Sequence, residues 1–223
     1  DQPTQPPMGN DELQKDMVNK KTRNGYPVRQ GIGVMAGPPD TYISYGQGWA
    51  NVSNTPFREY KHYVHEGGVS TPLIAHWPRG IQRKNEIEHQ PGHLIDIMAT
   101  CVDISGATYP VEYQGSRITP MQGKSLTPTF AGGAIDRDTL YFEHEGNRAI
   151  RKGNWKLVAK EAKGTWQLYD METDRTEMNN LAGSNPELVQ QLAKEWEDWA
   201  ARALVKPSPF FKKSKDAAAP KSK

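Results

Sequence analysis

Cysteine is nearly absent from these 223 residues: the single Cys101 excludes an intrachain disulfide and leaves the redox compartment open. Charge of one sign is lacking too. Twenty-eight Lys and Arg stand against 26 Asp and Glu, and a formal net charge of +2 offers no footprint for nucleic acid as a partner. Long hydrophobic runs are missing. The longest, from Leu94 to Val102, is broken by Asp96, so nothing reads as a membrane span. The chain opens at Asp1 with neither methionine nor a signal-like apolar region, from which a processed or truncated product is expected. What is present is 35% hydrophobic residues with six Trp and nine Tyr, enough for a modest core in one large domain or a large part plus a small one.

Residues 1–50 are rich in Gly and Pro without sustained periodicity and are expected to be irregular. Gly31, Gly33 and Gly37 read as loop glycines, because no strand precedes them as a dinucleotide fingerprint requires. "VSTPLIAHWP" (Val69–Pro78) reads as a short buried strand. In "GHLIDIMATCVDISG", Leu94, Ile97, Met98, Cys101, Val102 and Ile104 fall at helical spacing, with Gly106 where a C-terminal cap belongs. Cys101 thus reads as a buried structural thiol. Strand followed by helix is half of an α/β layer, placed at residues 51–135, with 107–135 as a connection.

From residue 136 to 205 the pattern changes. "TLYFE", "RAIRK", "NWKLVAK" and "TWQLYD" are short strand-like runs separated by the turn sequences "HEGN", "GN" and "EAKG", an antiparallel meander. Arg148 and Arg151 read as alternating basic residues on an exposed strand face. "SNPELVQQLAKEWEDWAARA" is a helix with Asn185 as N-cap and Pro186 at the first position. Its expected buried stripe is Leu188, Leu192, Trp196, Trp199 and Ala203. A four-stranded antiparallel sheet packed by this helix makes a small α+β unit. Residues 206–223 read as a disordered basic tail.

The chemistry concentrates in "NTPFREYKHYVHEGGVSTPLIAHWP". Lys61 carries a compact, strongly hydrated charge suited to an anionic oxygen. Gly67 and Gly68 suggest a turn where backbone approaches a ligand or another backbone closely. His62 and His65 lie three apart, but no nearby carboxylate or cysteine cluster completes a metal set. His93 and Asp96, three apart on the expected helix, are not read as metal ligands either.

This stretch resembles the lysine-plus-EGG segment of type I sulfatases, the arylsulfatase family. "GHLIDIMATCVDISG" resembles the helix that follows it there, "NRAIRKGNWKLV" the C-terminal meander, and "WQLYDMETDRTEMNNLA" the approach to the last helix. The similarity runs from about Asp40 to about Ala203, with four motifs in order. It implies an α/β fold, the C-terminal portion of an alkaline-phosphatase-like sulfatase plus the small α+β unit, and hydrolysis of aryl or carbohydrate sulfate esters. By this resemblance Lys61 binds a sulfate oxygen, His65 orients Lys61 or lines the leaving-group side, and His144 and Asn147 contact substrate. Glu66, Gly67 and Gly68 shape and brace the loop. Substrates are expected to be sulfated small molecules or glycans, and the location periplasmic or secreted.

The sequence departs from the family where the nucleophile should be. It has no C/S-x-P-S-R motif for formylglycine, no Asp–Asp pair and no Asp–Asn–Gly for calcium. The resemblance therefore implies a C-terminal half whose partner is the N-terminal half of a sulfatase. Calcium is expected in the full-length parent, with none bound by residues of this chain. The chain alone is expected to be inactive and stable only with the missing half. Two alternatives stay open: a phosphonate or phosphate monoester hydrolase of the same fold, and a non-catalytic polyanion-binding or assembly module.

Overall fold

The computed structural model of the chain describes residues 19–29, 34–35, 37–42 and 46–206. Gly31, Gly33 and all of the basic tail except Lys206 lie outside them. In chain order the elements are α1 (Gly46–Asn54), α2 (Glu66–Val69), α3 (Asp96–Ser105), β1 (Glu112–Tyr113), β2 (Ser116–Arg117), a 3-10 turn (Thr127–Ala131), β3 (Thr139–His144), β4 (Asn147–Lys152), β5 (Trp155–Ala159), β6 (Gln167–Asp170) and α4 (Pro186–Arg202). The mixture of helices with antiparallel sheets keeps the chain in the α/β class read from its sequence. The described residues form two compact units: one from those up to Thr71 and from Tyr141 to Lys206, the other from Pro72 to Leu140.

The first unit is built on the expected meander, with strand order β3-β4-β5-β6. Its register places Ile150 opposite Leu157 and Leu157 opposite Leu168. These three pack with Leu192 and Trp196 of α4. Because strand side chains alternate faces, Ala149, Val158 and Tyr169 point the other way, where they cluster with Val64 and Met171. The sheet is thus covered on both faces, by α4 on one and by the segment carrying Val64 on the other. That second cover was not foreseen.

Details of this unit differ from expectation. Asn185 stands before α4, but its amide turns back to the Leu181 carbonyl (3.1 Å) instead of capping the helix. Leu188 and Trp199 flank the buried Leu192 and Trp196, whereas Ala203 lies past the helix end and is exposed, so the stripe is one turn shorter. Arg148 and Arg151 are half-buried, not on an open face. The Arg148 guanidinium lies 4.2 Å over the Trp166 ring and donates to the Gly164 carbonyl. Residues 46–54, expected to be irregular at their start, form α1.

In the second unit α3 and its left-handed Gly106 cap (φ 66°) form as expected. The strand expected at Val69–Pro78 does not form. Val69 ends α2, Pro72 offers no backbone donor, and no strand among the described residues pairs with this run; Ile74 is 90% exposed. The burial of α3 is also reversed. Leu94, Ile97, Met98 and Ile104 are exposed, and so is Cys101, which is not the buried thiol expected. The helix instead buries Asp96 and Ala99.

Asp96 is fully enclosed and accepts from Arg137 Nη1 at 2.6 Å, from Arg137 Nη2, and from the backbone N–H groups of Lys124 (2.9 Å) and His93 (2.7 Å). Burial would raise its carboxyl, but these four donors hold it below the ordinary carboxylate range. A carboxylate lowered on folding adds stability that is complete above the unfolded value, about 3.9. That stability is lost as pH falls through the folded value. Asp96→Asn should therefore destabilise this unit at pH 7, with the deficit shrinking toward pH 3 in urea unfolding. An equal deficit at both pH values would rule out the ion pair as its source.

Candidate active-site loop

The loop from Asn54 to Ser70 is folded hard against itself at the glycine pair. A Cβ on Gly67 would lie 2.2 Å from the Glu59 carbonyl oxygen, and one on Gly68 would lie 1.9 Å from that of Tyr63. Only glycine lets these backbone segments cross, and the close approach is to backbone. Glu59 and His62 hold left-handed φ values of 65° and 83°, which completes the tight path.

Beneath this turn lies a buried charge cluster. Lys156, 1% exposed on β5, occupies the sheet face opposite α4. Its ammonium sits 2.9 Å from Glu66 Oε1 and 2.8 Å from Glu177 Oε1. Glu177 Oε2 in turn accepts the Glu66 backbone N–H at 2.9 Å. Arg175 reaches Glu66 Oε2 (3.1 Å) and the Ser70 hydroxyl (3.0 Å). Arg58 donates to the Glu177 carbonyl at 2.8 Å and to the Tyr169 hydroxyl at 3.2 Å.

One ammonium shared by two carboxylates cannot hold both equally. Burial would raise Glu66, but Lys156 and Arg175 hold it low; burial prevails at Glu177 and pushes its carboxyl up. Glu66 therefore joins a buried ion network instead of facing an open pocket.

The remaining expected site residues separate into exposed and enclosed sets. Lys61 is exposed at the turn before His62. His65 is 1% exposed; its Nε2 lies 3.4 Å from Gln167 Oε1, and burial is the largest cause pushing its pKa down to about 3, with Lys156, Arg58 and Lys160 adding to it. His65 is thus a neutral imidazole at ordinary pH, packed inside the loop. Asn147 is also buried, 4% exposed. Its Nδ2 donates to the carbonyls of both His62 (2.8 Å) and His144 (3.1 Å), and its Oδ1 accepts from the Glu161 N–H (3.1 Å). That amide clamps the loop to the β3–β4 turn. His144 is exposed and stacks on His62, with ring centroids 5.6 Å apart. His62 Nδ1 lies 2.8 Å from Glu145 Oε2.

Sequence reasoning missed Lys156, Glu177, Arg175 and Arg58. One signal was available: Lys156 stands in "WKLVA" at a position where strand alternation puts a side chain inside. Nothing local marks Glu177 as its partner.

Comparison with known proteins bears on this loop and sheet together. A family model described as N-sulphoglucosamine sulphohydrolase, C-terminal, matches residues 58–202, well over half the chain. An uncharacterized sulfatase of Schizosaccharomyces pombe is 32% identical over 177 residues, covering 76% of this chain and 32% of that protein. N-acetylgalactosamine-6-sulfatase of Mus musculus is 29% identical over 132 residues, covering 59% and 24%. Arylsulfatase K of Xenopus laevis is 26% identical over 168 residues, covering 70% and 30%. The chain thus spans about a third or less of the length of these relatives. Among solved structures, a 2-O GAG sulfatase aligns at 24% identity and a TM-score of 0.37, covering 49% of this chain and 25% of that one. The family match begins at Arg58, inside the lysine-plus-EGG loop, and runs through the meander to the end of α4: the chain belongs to the sulfatases, as a member of the family described as N-sulphoglucosamine sulphohydrolase, C-terminal.

Proposed function

We propose that this chain forms the lysine-bearing wall of a sulfatase that hydrolyses aryl or carbohydrate sulfate esters, with Lys61 binding a sulfuryl oxygen. One observation carries the reading: Lys61 is exposed on a loop whose following residues are fixed by a buried ion network and two obligatory glycines. Such a loop holds a cation in place before substrate arrives, as stabilisation of charge on a transferring anionic group requires. Relatives named for a carbohydrate sulfate favour a sulfated sugar as substrate. His144, exposed at the adjoining turn, is the residue we assign to its polar groups. His65 and Asn147 serve from beneath, by holding the loop's shape.

The nucleophile and the calcium ion that the resemblance implies are assigned to the N-terminal half. Calcium takes about six to eight oxygen ligands. The three-ligand cluster found among the described residues, His62, His144 and Glu145, has two nitrogens and does not suit it. The buried carboxylates of Glu66 and Glu177 do not suit it either, because both are already engaged by Lys156.

The test compares this chain with the same chain joined to its N-terminal half, on 4-nitrophenyl sulfate, a 6-sulfated hexosamine and 4-nitrophenyl phosphate. The joined protein is expected to release sulfate, and the chain alone none. Preference for the phosphate would favour a phosphomonoester hydrolase. Absence of all turnover, with retained binding to sulfated polysaccharide, would favour a non-catalytic module.

A further inference from the structure

From the sequence, His62 and His65 lacked a carboxylate to complete a metal set. The fold supplies one from a turn 83 residues away and replaces His65 with a different histidine. His62, His144 and Glu145 each offer a ligand atom, and these atoms lie within 4.8 Å of one another. His62 Nδ1 is 2.8 Å from Glu145 Oε2, and His144 Nε2 is 3.9 Å from Glu145 Oε1. The two imidazoles lie nearly parallel, 25° apart.

We propose that His62, His144 and Glu145 form a binding site for a borderline divalent transition metal, zinc being the reference ion. Two imidazoles and one carboxylate are a ligand set that suits zinc, nickel or copper, and it leaves a fourth position open. The site does not suit calcium or magnesium, which require oxygen donors. Its place in the fold separates it from an ordinary surface His–Glu pair. Asn147, itself buried, holds the backbone carbonyls of both histidine residues with one amide, so the two ligand-bearing segments keep a fixed spacing. Glu145 and Gly146 hold left-handed φ values of 52° and 87° at the hairpin turn, and the Gly146 N–H donates to Glu143 Oε1 at 2.8 Å, which fixes the base of the third ligand. Access is open as well: His62 and Glu145 are half-buried and His144 is exposed, so an ion enters without unfolding.

An ion closes this set by side-chain rotations that turn the two stacked rings until their in-plane nitrogen lone pairs converge. Metal–nitrogen bonds are about 2.0–2.1 Å and metal–carboxylate bonds about 2.0–2.2 Å, so neighbouring ligand atoms settle somewhat over 3 Å apart. The His62–Glu145 contact widens slightly and His144 closes in. The proposal does not rest on the role assigned to Lys61, and it is an alternative to the substrate contact assigned to His144.

The experiment titrates zinc into the full chain against a chromophoric chelator, beside His144→Ala and Glu145→Gln, and repeats the titration with calcium. One equivalent of zinc is expected to bind the parent chain, with affinity reduced by about 100-fold or more in each variant, beyond the 10–100-fold typical of losing an outer-shell partner. Calcium should not compete. Both substitutions sit at the hairpin turn, and tryptophan fluorescence checks that the parent chain and both variants are folded before zinc is added. As a second readout, zinc should shift the imidazole proton resonances of His62 and His144 and leave those of the other histidines in place. Zinc binding that both variants retain, resonance shifts confined to other histidines, or no binding to the parent chain would each overturn the proposal.

Discussion

Lys156→Met should lower the unfolding free energy of the meander unit by about 3–5 kcal/mol, the range for removing one partner of a buried ion pair. Methionine nearly matches lysine in length, so the space stays filled and the loss is electrostatic. Glu66 and Glu177 would remain enclosed, and only Glu66 retains another cation, Arg175. Two carboxylates without their shared ammonium must then either take up protons or draw water into the loop.

The pH dependence identifies the cause. Removing the ammonium raises both carboxyls relative to this protein, so the deficit is largest at neutral pH, where both are ionised. It narrows as pH falls below about 4, where both states are protonated. Denaturant unfolding followed by tryptophan fluorescence measures this, since four of the six tryptophans, Trp155, Trp166, Trp196 and Trp199, pack in the unit. A triple variant, Lys156→Met with Glu66→Gln and Glu177→Gln, removes the charges together and should recover much of the loss. A loss under about 1 kcal/mol in the single variant, the scale of an exposed ion pair, would mean that the network contributes little. A deficit that does not change with pH would point to packing instead.

Under the proposed function, Lys61→Ala in the protein joined to its N-terminal half should reduce kcat by about 10²–10³-fold, the effect of removing one preorganised charge-stabilising donor. KM should change much less, because the contact strengthens as charge accumulates on the sulfuryl oxygens. Lys61 is exposed, so folded stability should be nearly unchanged and the kinetic effect cannot be attributed to misfolding. Lys61→Arg should recover only part of the rate, since a planar guanidinium does not reproduce a compact ammonium. Near-normal turnover in Lys61→Ala would remove the residue from the mechanism.

The meander and α4 were legible because their signals are local. Alternating apolar residues, two-residue turns and a proline-initiated amphipathic helix each fit within a short window. The network under the loop was not legible in this way, because Glu66, Lys156 and Glu177 meet only after β5 is paired and the loop laid across it. The same holds for His62 and Glu145. Apolar content misled at Val69–Pro78 and at Cys101. A run of Leu, Ile and Ala reads as core, but burial requires a covering surface. Within Pro72–Leu140, Leu73, Ile74 and the apolar side of α3 are exposed. Asn147 reads along the chain as a turn residue with a polar end, whereas pairing of the strands turns that end inward.

The second cover on the meander has a consequence for how this loop can change over time. A loop tied only at its ends can drift in sequence and melt alone. This one shares its buried apolar cluster with β4, β5 and β6 and its charges with β5, so its opening is expected to be coupled to that of the sheet. Its rigidity is a property inherited from the sheet's global stability. Substitutions at Ala149 or Val158, which lie beneath the loop and carry no polar chemistry, therefore act on the same free-energy balance that holds the loop closed.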